Sequence, residues 1–249
     1  MPQLNRKLLL IGILILTGQG KTLHAQAQPE PQRNWTGNFG AGLALTSGNT
    51  DTKNFNISFG MVHDPKQSNI VRVAGLYLRG DKDGESIVDR TTINVRDEFT
   101  VSPRVFLFGQ NDYVRDTFKE IDYLISPTAG IGYKLINTDN TLMAIDSSLG
   151  GVWEKNTTAD VDLSGALNTG ERLAWKISPQ ATITQSAVGL WKLDDFADAL
   201  YNIGLGIAAS ITSNSELKFE VLDSYKNRPP TAGLKKNDVA IVTTFVLKF

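Results

Sequence analysis

The sequence predicts an all-β fold, a transmembrane antiparallel outer-membrane β-barrel of about twelve strands. Three observations carry this: a closing segment that ends on an aromatic, strand-like alternation in segments of about 10–13 residues, and connections that alternate between short and long.

The closing segment, Val239 to Phe249, reads V-A-I-V-T-T-F-V-L-K-F. Side chains alternate between the faces of a strand, so Ile241, Phe245, Leu247 and Phe249 share an apolar face, while Thr244 and Lys248 fall on the other. A globular domain more often ends in a frayed polar tail. A terminal strand closing on Phe is similar to the C-terminal signal that the barrel assembly machinery reads. Phe245, Leu247 and Phe249 are therefore the candidate assembly signal.

At the other end, Arg6 and Lys7 precede the apolar run Leu8 to Leu16, and Ala25-Gln26-Ala27 follows. This is the layout of a secretory signal peptide, with cleavage expected near Ala27. The run is too short to span a bilayer as a helix. The expected organisation is signal peptide 1–27, polar lead-in 28–34 and barrel 35–249. The whole chain carries 25 basic and 26 acidic residues; removing Arg6, Lys7 and Lys21 leaves a net charge of −4. That excludes a broad basic footprint for nucleic acid. With no Cys, the chain has neither disulfides nor thiol chemistry. A mean hydropathy of −0.15 looks soluble, but a barrel with a polar lumen hides in such averages.

Twelve β-like segments lie near 35–46, 52–63, 69–80, 90–101, 104–114, 122–135, 142–154, 165–177, 180–192, 200–212, 216–227 and 238–249. Turns follow the even-numbered ones: Asp64-Pro65, Ser102-Pro103, Asn137 to Asn140, Ser178-Pro179 and Ser213 to Ser215. Longer polar loops follow odd-numbered ones: Asp81 to Asp89, Arg115 to Ile121, Asn156 to Ser164 and Arg228 to Lys236. Short turns on the periplasmic side and long loops outside is the barrel layout. Within segments, Phe55, Ile57, Phe59 and Met61 oppose Asn54, Asn56, Ser58 and Gly60. Asp97 and Glu171 break the pattern by falling on the outward face, which is expected only near strand ends. Trp35 and Trp175 lie toward the short-turn side, Trp153 and Trp191 toward the long-loop side, as two aromatic girdles.

Local patterns resemble the YdiY-like group of salt-induced outer-membrane proteins, domain of unknown function 481. The residues that carry this are Trp35-x-Gly37 with Gly42 and Ser47-Gly48-Asn49-Thr50, then Tyr113 to Phe118, Asp122-Tyr123 and Gly130-Ile131-Gly132-Tyr133. The resemblance implies location, fold and a link to osmotic or salt stress; the family has no established activity to carry over. Physically, Gly48-Asn49 suits a tight first loop, and Gly130 and Gly132 leave room for a neighbouring aromatic or a strand bend.

No nucleophile, metal or phosphate motif stands out, so neither an enzyme nor a cofactor is expected. His63, the one His after position 27, lies beside a turn. Asp194, Asp195 and Asp198 could be read as a rim cluster, and Asp81-Lys82-Asp83-Gly84-Glu85 lacks EF-hand spacing. Acidic outer loops bridging divalent ions on lipopolysaccharide are weighed against plain solvated charge. Polar residues converge on the inward face: Arg72, Arg96, Glu98, Asp112, Asp146, Arg172, Lys218 and Glu220 are the lumen-lining candidates, with Glu154, Lys176 and Lys248 beside them. Mixed signs fit two readings: a narrow aqueous pathway for small solutes or ions, or pairs that close the lumen. The expected surroundings are outer-membrane lipid and lipopolysaccharide.

Overall fold

The computed structural model describes residues 34–47, 52–65, 69–82, 85–231 and 233–249. The expected signal peptide, most of the lead-in, and the first loop at Gly48-Asn49 lie outside the described residues.

Twelve antiparallel strands form one closed barrel among these residues. They are β1 Trp35–Ser47, β2 Thr52–His63, β3 Asn69–Lys82, β4 Glu85–Thr100, β5 Val105–Asp116, β6 Ile121–Asn137, β7 Thr141–Asn156, β8 Val161–Lys176, β9 Ala181–Lys192, β10 Ala199–Thr212, β11 Ser215–Lys226 and β12 Asn237–Lys248. A short 3-10 turn at Thr117–Lys119 interrupts the β pattern between β5 and β6. Each strand pairs with the next, and β12 returns to β1 with Ala41 opposite Phe245. The strands tilt strongly. One row of partners runs from Gly42 through Asn56, Leu78, Arg90, Asp116 and Ile121 to Asn156 at the far end of β7. In the other direction the same row passes Thr244, Lys218, Ala208 and Thr182 to Lys176, at the opposite end of β8. Such a stagger is what closes a sheet into a barrel.

Side-chain parity is regular along the middle of the strands and shifts at irregularities near their ends, one of which leaves odd-numbered Ile121 buried. Odd-numbered residues point outward, and this face carries Phe59, Ile93, Leu107, Leu149, Leu205, Phe245 and Leu247, all exposed. So continuous an exposed apolar surface needs a bilayer to cover it. Among the described residues no helix is long and apolar enough to cross a membrane; the strands do the crossing. Trp35 and Trp175 lie at the end where the chain enters the barrel, here called the inner rim. At the outer rim Trp191 donates its indole N–H to Tyr201 Oη at 3.0 Å, and Tyr201 packs against Tyr225.

Chemistry at the inner-rim turns follows the sequence closely. Ser102 Oγ accepts the amides of Arg104 and Val105, and Ser178 Oγ accepts those of Gln180 and Ala181, so each Ser-Pro pair fixes a tight reversal. The outer connections correct the expectation of long loops. Strands β4 and β8 begin at Glu85 and Val161 rather than near 90 and 165, because the ladder continues past the apolar band. Backbone bonding is indifferent to the polar side chains there, so most of the outer contrast comes from extended hairpins. The stretch from Asn227 to Lys236 remains a true loop.

The C-terminus seals the barrel. Phe249 and Gly37 exchange both backbone hydrogen bonds at 3.0 Å. A Cβ on Gly37 would stand 2.5 Å from the Phe249 ring, so any side chain there displaces the ring from this packing. We expect Gly37→Leu, and deletion of Phe249, each to abolish the heat-modifiable gel band of the folded barrel; normal migration of both variants would refute the seal. An outward charge at Ile207→Arg should cost about 2–4 kcal/mol near the midplane, measured by urea titration in vesicles.

Candidate functional site

The interior divides into two belts of charge. In the inner half, Arg96 of β4 organises the first. It donates through Nε to Glu98 Oε1 at 2.8 Å, through Nη1 to Gln110 Oε1 at 2.6 Å and through Nη2 to Asp146 Oδ2 at 2.8 Å. Arg172 of β8 donates to Glu98 Oε1 at 2.5 Å and to Asp146 Oδ2 at 3.4 Å. Arg72 of β3 lies 3.7 Å from Glu98 Oε2. Asp112 accepts from Asn94 at 2.7 Å and from Gln110 at 2.9 Å. Three guanidiniums thus meet two carboxylates, with Asp112 held beside them by two side-chain amides, which offsets the desolvation each charge incurs inside the barrel.

The network spans β4 to β8 because β6 leaves it room. Gly130 and Gly132 present no side chains, and the Phe106 ring lies over Gly132, 2.0 Å from where a Cβ would be. The Arg96 guanidinium stacks 3.6 Å from the Phe108 ring centroid, and Arg172 lies 5.3 Å from that of Phe106. The expected room for an aromatic is found at Gly132, filled by Phe106, while Gly130 lies against the β7 backbone at Ser147 and Ser148.

The opposite wall is slight. On β9 and β10 the inward positions are Thr182, Thr184, Ser186, Gly204, Gly206 and Ala208. Ser186 is exposed although it faces inward, and Val188 is 37% exposed. The lumen is therefore eccentric, filled on the β4–β8 side and open along β9. Lys218 pairs with Glu220 at 2.7 Å, and Lys248 with Glu216 at 3.1 Å toward the inner rim. A cavity of about 520 Å³ opens there, lined among others by Thr36, Asn38, Arg72, Ser213, Asn214 and Lys248. Lys176 is exposed at the same rim.

The second belt closes the outer half. Glu154 of β7 is fully buried between Lys192 of β9 at 2.8 Å and Lys226 of β11 at 2.7 Å. Asp198 binds the same two lysines at 2.7 and 3.2 Å, and Asp162 binds Lys192 at 2.6 Å. Two ties cross the lumen outright. Arg90 of β4 donates to Asn202 of β10 at 3.1 Å, and Lys119, from the turn after β5, reaches Asp238 of β12 at 2.8 Å. Beneath them Ile121, Leu124, Val152, Ala166 and Leu200 pack into a dry cluster.

The inward candidates from sequence thus split: Arg72, Arg96, Glu98, Asp112, Asp146 and Arg172 come together, while Lys218 and Glu220 pair on another wall. Lys119, Lys192, Lys226, Asp116 and Asp238 went unrecognised. Lys192 and Lys226 share the even parity of Glu154 and could have been found from it; Lys119 required knowing that its turn folds inward. The acidic rim reading is corrected. Ser164 bonds Asp194, Arg228 bonds Asp195, and Asp198 turns into the lumen, so the three do not converge. No cluster of three or more His, Cys, Asp or Glu poised for a metal occurs among the described residues. His63 packs on the Trp35 ring, 4.6 Å between centroids.

Burial raises the Asp198 carboxyl, but Lys226 and Lys192 outweigh it and hold the group below its ordinary range. A depressed carboxyl stabilises the fold above its unfolded value, about 4, and loses that contribution as pH falls through the folded value. Thermal midpoints of wild type and Asp198→Asn should therefore differ at pH 7 and converge below about pH 4. A gap unchanged down to pH 2 would sink this assignment.

The profile of one protein family, described as "Protein of unknown function, DUF481", matches residues 39–249. No curated protein matches the chain. Among solved structures, the NanC porin superposes with a TM-score of 0.57 at 9% identity, covering 85% of this chain and 100% of that one. The KdgM porin gives 0.52 at 6% identity, covering 86% and 99%. The translocator domain of the autotransporter NalP from Neisseria meningitidis gives 0.52 at 9%, covering 88% and 90%. Identities this low establish the shared barrel fold alone, and porins and a translocator share it. On this match over residues 39–249, the chain belongs to the DUF481 family.

Proposed function

We propose that this protein is a narrow outer-membrane pathway for small polar solutes or ions, closed at its outer end in the conformation described, and not an enzyme. The observation that carries the reading is the eccentric lumen: a balanced charge network fills one wall while Ser186 and Val188 stay exposed on the other. A barrel meant only as a scaffold gains nothing from leaving an inner wall exposed. The porin neighbours support a pore-like role at the level of fold. Export through a signal peptide ending near Ala27, assembly through the Phe249 signal, and a lipopolysaccharide-facing outer rim complete the proposal. The family resemblance adds salt or osmotic stress as its setting.

A second reading, an occluded barrel acting through its surface, is favoured by the two ties that cross the lumen. Planar-bilayer recording separates them. We expect brief, small conductance steps from wild type and longer openings from Arg90→Ala combined with Lys119→Ala. A low-dielectric passage magnifies fixed charge, so Glu98→Gln with Asp146→Asn should move the reversal potential toward anion preference. Silence from all three proteins, with changes only in thermal stability, would hand the question to the occluded reading.

A further inference from the structure

The outward face holds one feature that a bilayer alone leaves unexplained. Glu171 of β8 has odd parity and points outward, opposite Ala187 on β9. It stands four residues from the inner-girdle Trp175, and Ala187 stands four residues from the outer-girdle Trp191. Glu171 is therefore at mid-depth, not at a strand end as the sequence suggested. Other outward acids sit near the rims: Asp97 is close to the inner end of β4, and Asp223 is one outward position from Tyr225. A carboxyl at mid-depth has neither water nor headgroups to satisfy it, which marks such residues as functional.

Its surroundings have the same character. Gln185 of β9 donates Nε2 to Glu171 Oε2 at 2.6 Å, while Glu171 Oε1 has no hydrogen-bond partner. Gln185 keeps a second N–H, since an amide carries two donors. Thr169 and Ser147 stand opposite each other on the same outward face, and Ala187 adds a small residue on β9. On the far side of the barrel β2 presents Phe55, Ile57, Phe59 and Met61 instead.

We propose that the β7–β9 face is a homodimer interface, in which each Glu171 takes a hydrogen bond from the partner subunit's Gln185. The inference rests on reading the outward band as bilayer-spanning, but not on conductance. Two copies inserted the same way round relate by a two-fold axis along the membrane normal. That axis swaps β8 and β9 across the interface at constant depth. Glu171 then meets the partner subunit's Gln185, and the contact repeats in the opposite sense, as an isologous interface requires. The vacant oxygen is enclosed by this chain as it stands, and rotation of the carboxyl on docking would bring it to the second N–H of the partner's amide. Ala187 keeps the seam shallow beside Glu171, as small residues do between membrane helices, while the Trp191 ring covers Gly189 at its outer end.

The chain has no Cys, so single-cysteine variants report proximity cleanly. Near the axis, Thr169→Cys should form a disulfide band of twice the barrel's mass when outer membranes are oxidised, whereas Ile57→Cys on β2 stays monomeric. Adding Glu171→Leu and Gln185→Leu should remove that band while the heat-modifiable barrel persists. Glu171→Gln, which can still hydrogen-bond, should keep it. The proposal is overturned if Thr169→Cys dimerises no more than Ile57→Cys. It is also overturned if the adduct contains another protein, or if the double leucine variant crosslinks undiminished.

Discussion

Everything in this molecule depends on the closure of β12 against β1. A sheet edge in hydrocarbon would leave a row of backbone N–H and C=O groups unpaired, each costing several kcal/mol, so an open form of these twelve strands is not viable in a bilayer. Closure is secured at the last residue. Phe249 pairs with Gly37, and its ring lies where any side chain on Gly37 would have to be. The terminal aromatic is thus both an outward anchor and the final rung of the ladder. Once the ring is closed, parity follows along every strand, and with it the division between an apolar outside and a polar inside.

Closure also decides what the interior must do. Twelve strands enclose more space than their small side chains fill, and charged residues inside must find partners or water. The sequence solves this with absence as much as presence. Gly132 on β6 opens a shelf on which Phe106 lies, Gly130 lets β7 come close, and Arg96 stacks on Phe108 while reaching Glu98, Gln110 and Asp146. Filling that shelf with side chains would push the guanidinium toward the lumen axis. Gly132 therefore lets the network lie against one wall, and Ser186 and Val188 on β9 stay exposed because the network does not stand over them.

Strand count, facing and inner turns were legible because each rests on a short-range rule. Period two reads faces directly, and Ser-Pro pairs announce tight reversals. What the residues could not reveal depends on three-dimensional return. Glu85 and the polar start of β8 look like loop, but a hairpin ladder needs only backbone groups to continue. Lys119 sits in a turn, and no periodicity tells that the turn dips inward to meet Asp238. Asp198 looked like a solvated rim acid because its partners Lys192 and Lys226 are distant in sequence. Parity sorts residues by face; it does not say which of them meet across a lumen.

The two belts differ in a way that bears on motion. The inner network is built from residues within strands, fixed by the ladder and stacked on aromatic rings, so it can shift little without deforming the barrel. The outer ties begin partly in connections: Lys119 in the turn after β5, Asp198 just before β10, and the contact of Thr231 with Glu120 between two loops. Loops open at lower free energy than paired strands. Long Lys and Arg side chains can release a partner and find water at the rim without moving the backbone behind them. If the lumen conducts, opening therefore starts at the outer end, while the inner network stays in place and sets which solutes pass. The same division makes the closed conformation stable, since Glu154 lies buried between two lysines and cannot lose both without being left as a stranded charge.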